Sequence, residues 1–154
     1  MKTSVLFLCL LLLLSRPDEG NSAATAAKQS LNCAQIPQIA LVPMGFTDAA
    51  MLHLLQTEIS DFYNASVTIT AKVEMPAAAW YAPRSRYRAD TIIAILARSK
   101  QYAAYDKVIA ITGKDISTTK GQYPDWGILG LGFCPGKSCV VSTRRLKKSA
   151  TGAQ

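Results

Sequence analysis

The chain has 154 residues, of which 49% are apolar and 18% charged, with a net charge of +7 and four cysteines. That length suits one domain around one core; the apolar share excludes a disordered tail, and the cysteine count excludes a dense disulfide scaffold. A single histidine, His53, counts against a complete histidine metal site, which ordinarily needs two or three such ligands.

Lys2, an apolar run from Val5 to Leu14 and the small-residue stretch from Ser22 to Ala26 read as a signal peptide over residues 1–26. The run is too short to span a membrane. Cys9 lies inside that run and follows Leu8 where a lipoprotein signal would place a small residue, so lipid anchoring is not expected. The expected location is secreted or periplasmic, where thiols are oxidised, with no stable membrane insertion after cleavage. The leader carries as many acidic as basic side chains, so the +7 belongs to the mature part.

Residues 27–37 form a polar lead-in ending at Pro37, and the domain is expected to run from 38 to 147, with 148–154 as a tail. Ile39–Val42 is a short apolar run closed by Pro43 and Gly45, the pattern of a buried strand. Thr47 as N-cap with Asp48 in the first turn predicts a helix over 48–63, in which Met51, Leu54, Leu55, Ile59, Phe62 and Tyr63 recur at helical spacing. Val67, Ile69, Ala71 and Val73 then alternate with polar residues as in a half-covered strand. The stretch 74–88, with two prolines, Trp80, Tyr81, Tyr87 and three arginines, has no period and reads as a loop. Asp90 is placed to cap a second helix continuing to about Ala104. Val108–Ile111 is another buried strand, 112–121 a loop, and Ile128–Phe133 and Ser138–Thr143 the last strands. The predicted order is β-α-β-α-β-β-β: parallel pairing among the first three strands, and an antiparallel pair at the end across Pro135-Gly136.

Positive charge gathers at Arg84, Arg86 and Arg88 and at Arg144, Arg145, Lys147 and Lys148. No nucleic-acid motif or row of stacking aromatics accompanies it, so these are expected to be solvated surface groups and no nucleic-acid partner is expected. Cys134 and Cys139 form a C-x4-C pair around a Pro-Gly turn. A disulfide is the better reading in an oxidising compartment; the alternative, a zinc knuckle, would need two further ligands. Asn64-Ala65-Ser66 matches the glycan-acceptor pattern. Among single residues, His53 is expected on a helix surface. Glu74, Asp115 and Asp125 are conceivable acid, base or metal groups, although Asp125 before Trp126-Gly127 is more simply a turn or cap residue. Gly127, Gly130 and Gly132 lack the Lys-Ser/Thr pair and following helix of a phosphate loop.

Three segments together carry a resemblance: Thr112-Gly113-Lys114-Asp115-Ile116-Ser117; the run from Asp125-Trp126-Gly127 through Gly130, Gly132 and Phe133 to Cys134-Pro135-Gly136; and Cys139-Val140-Val141-Ser142-Thr143 with Arg145-Leu146. They resemble the archaemetzincin family of zinc metallopeptidases, over about residues 39–147. The resemblance implies the N-terminal part of a metzincin catalytic domain, α/β and three-layered, with a mixed sheet and an antiparallel edge strand lining a peptide cleft. It also implies zinc as cofactor and peptides or proteins as substrates for a complete member, with the metal held by three histidines of an HExxHxxGxxHC helix beyond the last strand. This sequence contains no HExxH, since His53 is followed by Leu54-Leu55-Gln56-Thr57. No catalytic, cofactor or metal residue can therefore be assigned, and whether the chain is an enzyme stays open. The expectation is a truncated archaemetzincin-like domain, inactive alone and without zinc. The alternative is an exported non-catalytic module that binds a peptide or an anion.

Overall fold

The computed structural model describes residues 35–45 and 48–146. The signal peptide expected over 1–26, most of the lead-in and the tail lie outside the described residues.

The chain enters at β1 (Gln38–Met44), crosses through α1 (Ala49–Tyr63) to β2 (Ser66–Ile69), and later adds β5 (Lys107–Thr112), β8 (Gly130–Gly132) and β9 (Ser138–Ser142) to one sheet. Its strand order is β2-β1-β5-β9-β8; β2, β1, β5 and β9 are parallel, and β8 runs antiparallel to β9 at the edge. Between these lie β3 (Trp80–Tyr81), β4 (Arg86–Arg88), α2 (Ala89–Arg98), β6 (Ile116–Lys120) and β7 (Tyr123–Ile128). The four short strands form a second sheet ordered β3-β4-β6-β7, antiparallel except for β4 beside β6.

Strand periodicity divides the core between the two faces of the larger sheet. Ile39 and Leu41 of β1, Ile109 and Ile111 of β5 and Cys139 of β9 meet Leu52 and Ile59 of α1. Their neighbours Ala40, Val42, Met44, Val108, Ala110 and Val140 meet Ile92, Ile93 and Leu96 of α2. Because successive side chains of a strand point to opposite faces, both faces are apolar, which is why these strands read as continuous apolar runs. Three layers result, one helix on either side of the mixed sheet. Each fully buried leucine or isoleucine contributes about 1.5–3 kcal/mol relative to exposure.

Several boundaries differ from the sequence expectation. The N-cap of α1 is Asp48, whose carboxylate accepts from the backbone N–H groups of Ala50 (2.9 Å) and Met51 (3.4 Å), the two amides a cap side chain satisfies; Thr47 lies outside the described residues. Arg88, not Asp90, precedes α2, and Asp90 sits in its first turn. That helix ends at Arg98, and a 3-10 turn over Lys100–Tyr102 brings Tyr102, 3% exposed, into the core. Past Ile69 the alternating stretch leaves regular pairing but stays bonded to β1 through the Thr70 and Val73 N–H groups, which reach Leu41 and Pro43 carbonyls at 2.9 Å. The two expected loops, 74–88 and 112–121, contain β3, β4 and β6, all too short to show a period. The strand expected at 128–133 is two strands, β7 ending at Ile128 and β8 beginning at Gly130. Pro124, without an N–H to donate, is tolerated because β7 is an edge of the smaller sheet.

Candidate functional site: an open strand edge and an arginine–aspartate clasp

β8 is one of the two edges of the larger sheet, β2 being the other. Its register pairs Gly130 with Val141, Leu131 with Val140 and Gly132 with Cys139. The Ser142 N–H donates to the Leu129 carbonyl at 2.7 Å. Antiparallel ladders alternate, so Leu131 directs its backbone groups inward to β9, while Gly130 and Gly132 direct theirs outward. A side chain at Gly130 would press on the Val140 carbonyl, only 3.1 Å from where a Cβ would stand. Leu131 anchors the strand by packing on the α2-side core, and Phe133 just beyond is exposed. The result is a short strand with two outward-facing peptide units and no side chains at those units to obstruct an incoming chain, the geometry β-augmentation needs.

Beside this edge, β4, β6 and β7 form a sheet with one apolar and one charged face. Tyr87, Ile116 and Ile128 share one face and pack on the core. By alternation Arg86, Arg88, Ser117, Asp125 and Gly127 belong to the other face. There Asp115 receives Arg145 in a two-pronged pair, Nε to Oδ1 at 2.9 Å and Nη2 to Oδ2 at 3.2 Å. Arg86 bridges the two aspartates, Nε 3.4 Å from Asp115 Oδ2 and Nη1 3.5 Å from Asp125 Oδ2. Arg84 stands 4.0 Å from Asp125. The Asp125 side chain is 7% exposed and neither oxygen accepts a hydrogen bond from a described residue, so ion pairing alone compensates its burial. Arg145 occupies the space a side chain at position 127 would fill, which is the reason for Gly127. Arg88 donates to the Pro124 carbonyl (2.6 Å) and the Thr119 hydroxyl (2.7 Å), and pairs with Asp90 at 3.4 Å.

The ends of β5 and β9 hold this clasp. The Ser142 hydroxyl donates to the Lys114 carbonyl at 2.5 Å, the Lys114 N–H donates to the Thr112 hydroxyl at 3.2 Å, and the Thr143 N–H donates to the Thr112 carbonyl at 2.9 Å. These bonds fix Asp115 on one side and Arg145 on the other.

The basic cluster is therefore only partly a solvated surface, and Lys147 and Lys148 lie outside the described residues. Arg86 and Arg88 side chains are each 17% exposed and committed to carboxylates; Arg84 and Arg144 remain exposed. His53 is on the exposed side of α1, and Glu74 is exposed beside Lys72 at 3.9 Å. Cys134 is exposed in the loop after β8, and Cys139 is buried on β9 facing α1. Sequence reasoning named Asp115, Asp125 and the arginines singly and missed their convergence. The alternation Arg86-Tyr87-Arg88 was the available signal for a strand with a charged face. Among the described residues no helix is long and apolar enough to cross a membrane.

No protein-family profile matches the chain. Over 115 residues it is 31% identical to the archaemetzincin of Halobacterium salinarum, an alignment covering 75% of this chain and 62% of that protein. The crystal structure of the archaemetzincin from Archaeoglobus fulgidus superposes with a TM-score of 0.59 at 22% identity, covering 71% of this chain and 62% of that one. A zinc-dependent peptidase from Methanocorpusculum labreanum gives 0.58 at 18% identity, covering 75% and 69%. The fold is thus the one these archaemetzincin structures share. The chain is a homologue of the archaemetzincins and spans 62% of the length of the curated relative it matches.

The relatives bring zinc into question, and the described residues do not fit it. No group of three or more His, Cys, Asp or Glu side chains among them lies close enough to hold a metal ion. Asp115 and Asp125 are each engaged by arginines, and His53 stands on another layer.

Proposed function

We propose that this chain supplies the peptide-presenting part of an archaemetzincin-type metallopeptidase. An extended peptide lies along β8, hydrogen-bonded to the outward backbone groups of Gly130 and Gly132, while the zinc-binding residues are not among the 154 of this sequence. The observation that carries this reading is the open β8 edge on a fold shared with the archaemetzincins. The chain alone binds peptide without cleaving it, and it does so after export, as its N-terminal sequence suggests. In the same compartment, oxidation of Cys134 and Cys139 by a host thiol oxidase would close a small loop, stabilising the fold by roughly 2 kcal/mol if unstrained; alkylation before and after reduction tests it.

An exported binding module unrelated to catalysis would use the same edge. Its anion-binding form is disfavoured, because Arg86, Arg88 and Arg145 already face Asp115, Asp125 and Asp90.

Fluorescence anisotropy with labelled, unstructured peptides tests the edge. We expect saturable binding that Gly132→Pro abolishes, since proline removes one outward N–H and leaves the bonds to β9 intact. Binding unchanged by Gly132→Pro in a folded variant would refute the edge. Zinc-stimulated, chelator-sensitive hydrolysis by the chain alone would refute the assignment of chemistry elsewhere.

A further inference from the structure

We propose that Asn64 is an acceptor for an N-linked glycan, placed so that the glycan shields the edge of the sheet opposite the peptide edge. Asn64-Ala65-Ser66 has the acceptor pattern, with Ala65 in the middle and Val67 after it, so no proline interferes. Both Asn64 and Ser66 are exposed, Asn64 in the turn after α1 and Ser66 as the first residue of β2. Asn64 caps α1 in the left-handed conformation, φ 47° and ψ 51°, which asparagine and glycine adopt most readily. The turn is held by the Asn64 and Ala65 N–H groups donating to the Ser60 carbonyl and by the Ser60 hydroxyl donating to the Ala65 carbonyl at 2.6 Å. None of these bonds uses the Asn64 carboxamide, so its nitrogen is available without cost to the fold.

The position has a physical use. β2 ends the larger sheet on one side and β8 on the other, four strand spacings apart, or roughly 19 Å. An uncovered edge strand invites pairing between molecules. A glycan leaving the turn that starts β2 would hinder that pairing at β2 and leave β8 open for peptide. In the transfer, the Asn64 amide nitrogen bonds to the anomeric carbon of a lipid-pyrophosphate-linked oligosaccharide. The carbon–phosphate oxygen bond breaks, the lipid pyrophosphate leaves, and the amide nitrogen gives up one proton. The acceptor itself rests on export, and the use assigned to its placement rests on the peptide edge proposed above.

The full chain, expressed in a glycosylating eukaryotic host with its own leader and separately with a leader of established export activity, tests the site. The readout is peptide mapping after peptide N-glycosidase treatment, which converts a glycosylated asparagine to aspartate. We expect modified Asn64 in wild type and Ser66→Thr, and none in Ser66→Ala or Asn64→Gly; glycine keeps the left-handed turn, so that variant folds. Modification only with the substituted leader would support the acceptor and sink the export reading. Exported chain with unmodified Asn64 under the substituted leader would overturn the proposal, as would modification persisting in Ser66→Ala. The unglycosylated variants should self-associate more than wild type with unchanged peptide binding; weaker peptide binding on glycosylation would overturn the placement away from β8.

Discussion

The two sheets hold their strands by opposite means. In the larger one, β1, β5 and β9 are covered on both faces, and Ala40, Leu41, Val42, Val108, Ala110 and Val140 are fully buried. In the smaller one only the face carrying Tyr87, Ile116 and Ile128 meets the core, and the other is a lattice of Arg86, Arg88 and Arg145 against Asp115, Asp125 and Asp90. Burial is non-directional and adds with area, so the larger sheet can hold its register against small changes. Ion pairs offset their own desolvation only while their partners are in place, so the smaller sheet is specified by a few side chains. The open β8 edge joins the two, since it pairs with β9 of the robust sheet and follows directly on β7 of the fragile one.

Substitutions should separate the two kinds of cohesion. The largest effect is expected from Leu41→Ala, which opens a cavity between β1 and α1 and should cost about 3–4 kcal/mol in urea unfolding, with no dependence on salt. Asp125→Ala comes next. It leaves Arg86 half-paired and Arg84 without its aspartate, and a loss of about 1–3 kcal/mol is expected, reduced because Arg86 keeps Asp115. Gly127→Ala drives a methyl group into the Arg145 guanidinium; as that is the end of a flexible side chain it can move, and a cost of about 1 kcal/mol is expected, the order of one exposed charged hydrogen-bonded pair. The comparison breaks if Leu41→Ala proves milder than Gly127→Ala, or if 0.5 M salt, a concentration at which exposed pairs are screened over roughly 4 Å, leaves the Gly127→Ala difference unaltered.

The same contrast governs what could be read from the sequence. α1 was legible because its apolar spacing recurs over enough residues to define a period, and the buried strands β1 and β5 because each is a short, continuous apolar run bounded by turn residues. The antiparallel edge at the last strands was legible from Pro135-Gly136 between two strand-like runs, and the resemblance in the segments around Asp115, Gly130 and Cys139 placed it within a known fold. β3, β4 and β6 were not legible: two to five residues define no period, and β4 consists of Arg-Tyr-Arg. The clasp was hidden for a different reason. Asp115, Asp125 and Arg145 lie far apart in the chain, and a carboxylate announces nothing about its partner until the fold brings them together. Asp48 displaced Thr47 as cap because both residues can serve, and only the helix phase decides which reaches the Ala50 and Met51 amides.

An effect of the same order as that of Gly127→Ala lies in the core of the robust sheet, and its pH dependence appears only in alkali. Burial pushes the Tyr102 hydroxyl above its ordinary value near 10, opposed by a hydrogen bond with Thr70 and assisted by the neighbouring Tyr105, and burial raises Tyr63 as well. A phenol whose pKa is raised on folding holds its proton more tightly in the native state than in the unfolded chain. The associated stability is fully present below pH 10 and is lost as pH rises from there through the native value, because the unfolded state releases the proton first. Tyr102→Phe should therefore lower stability at pH 8 by the lost hydrogen bond, on the order of 1 kcal/mol. The gap to wild type should narrow steadily above pH 10. Urea midpoints measured from pH 8 to 11 test this. A gap that stays constant or widens across that range would mean that Tyr102 ionises in the folded state as readily as in the unfolded chain, and that the α2-side core is more open to water than its 3% exposure indicates.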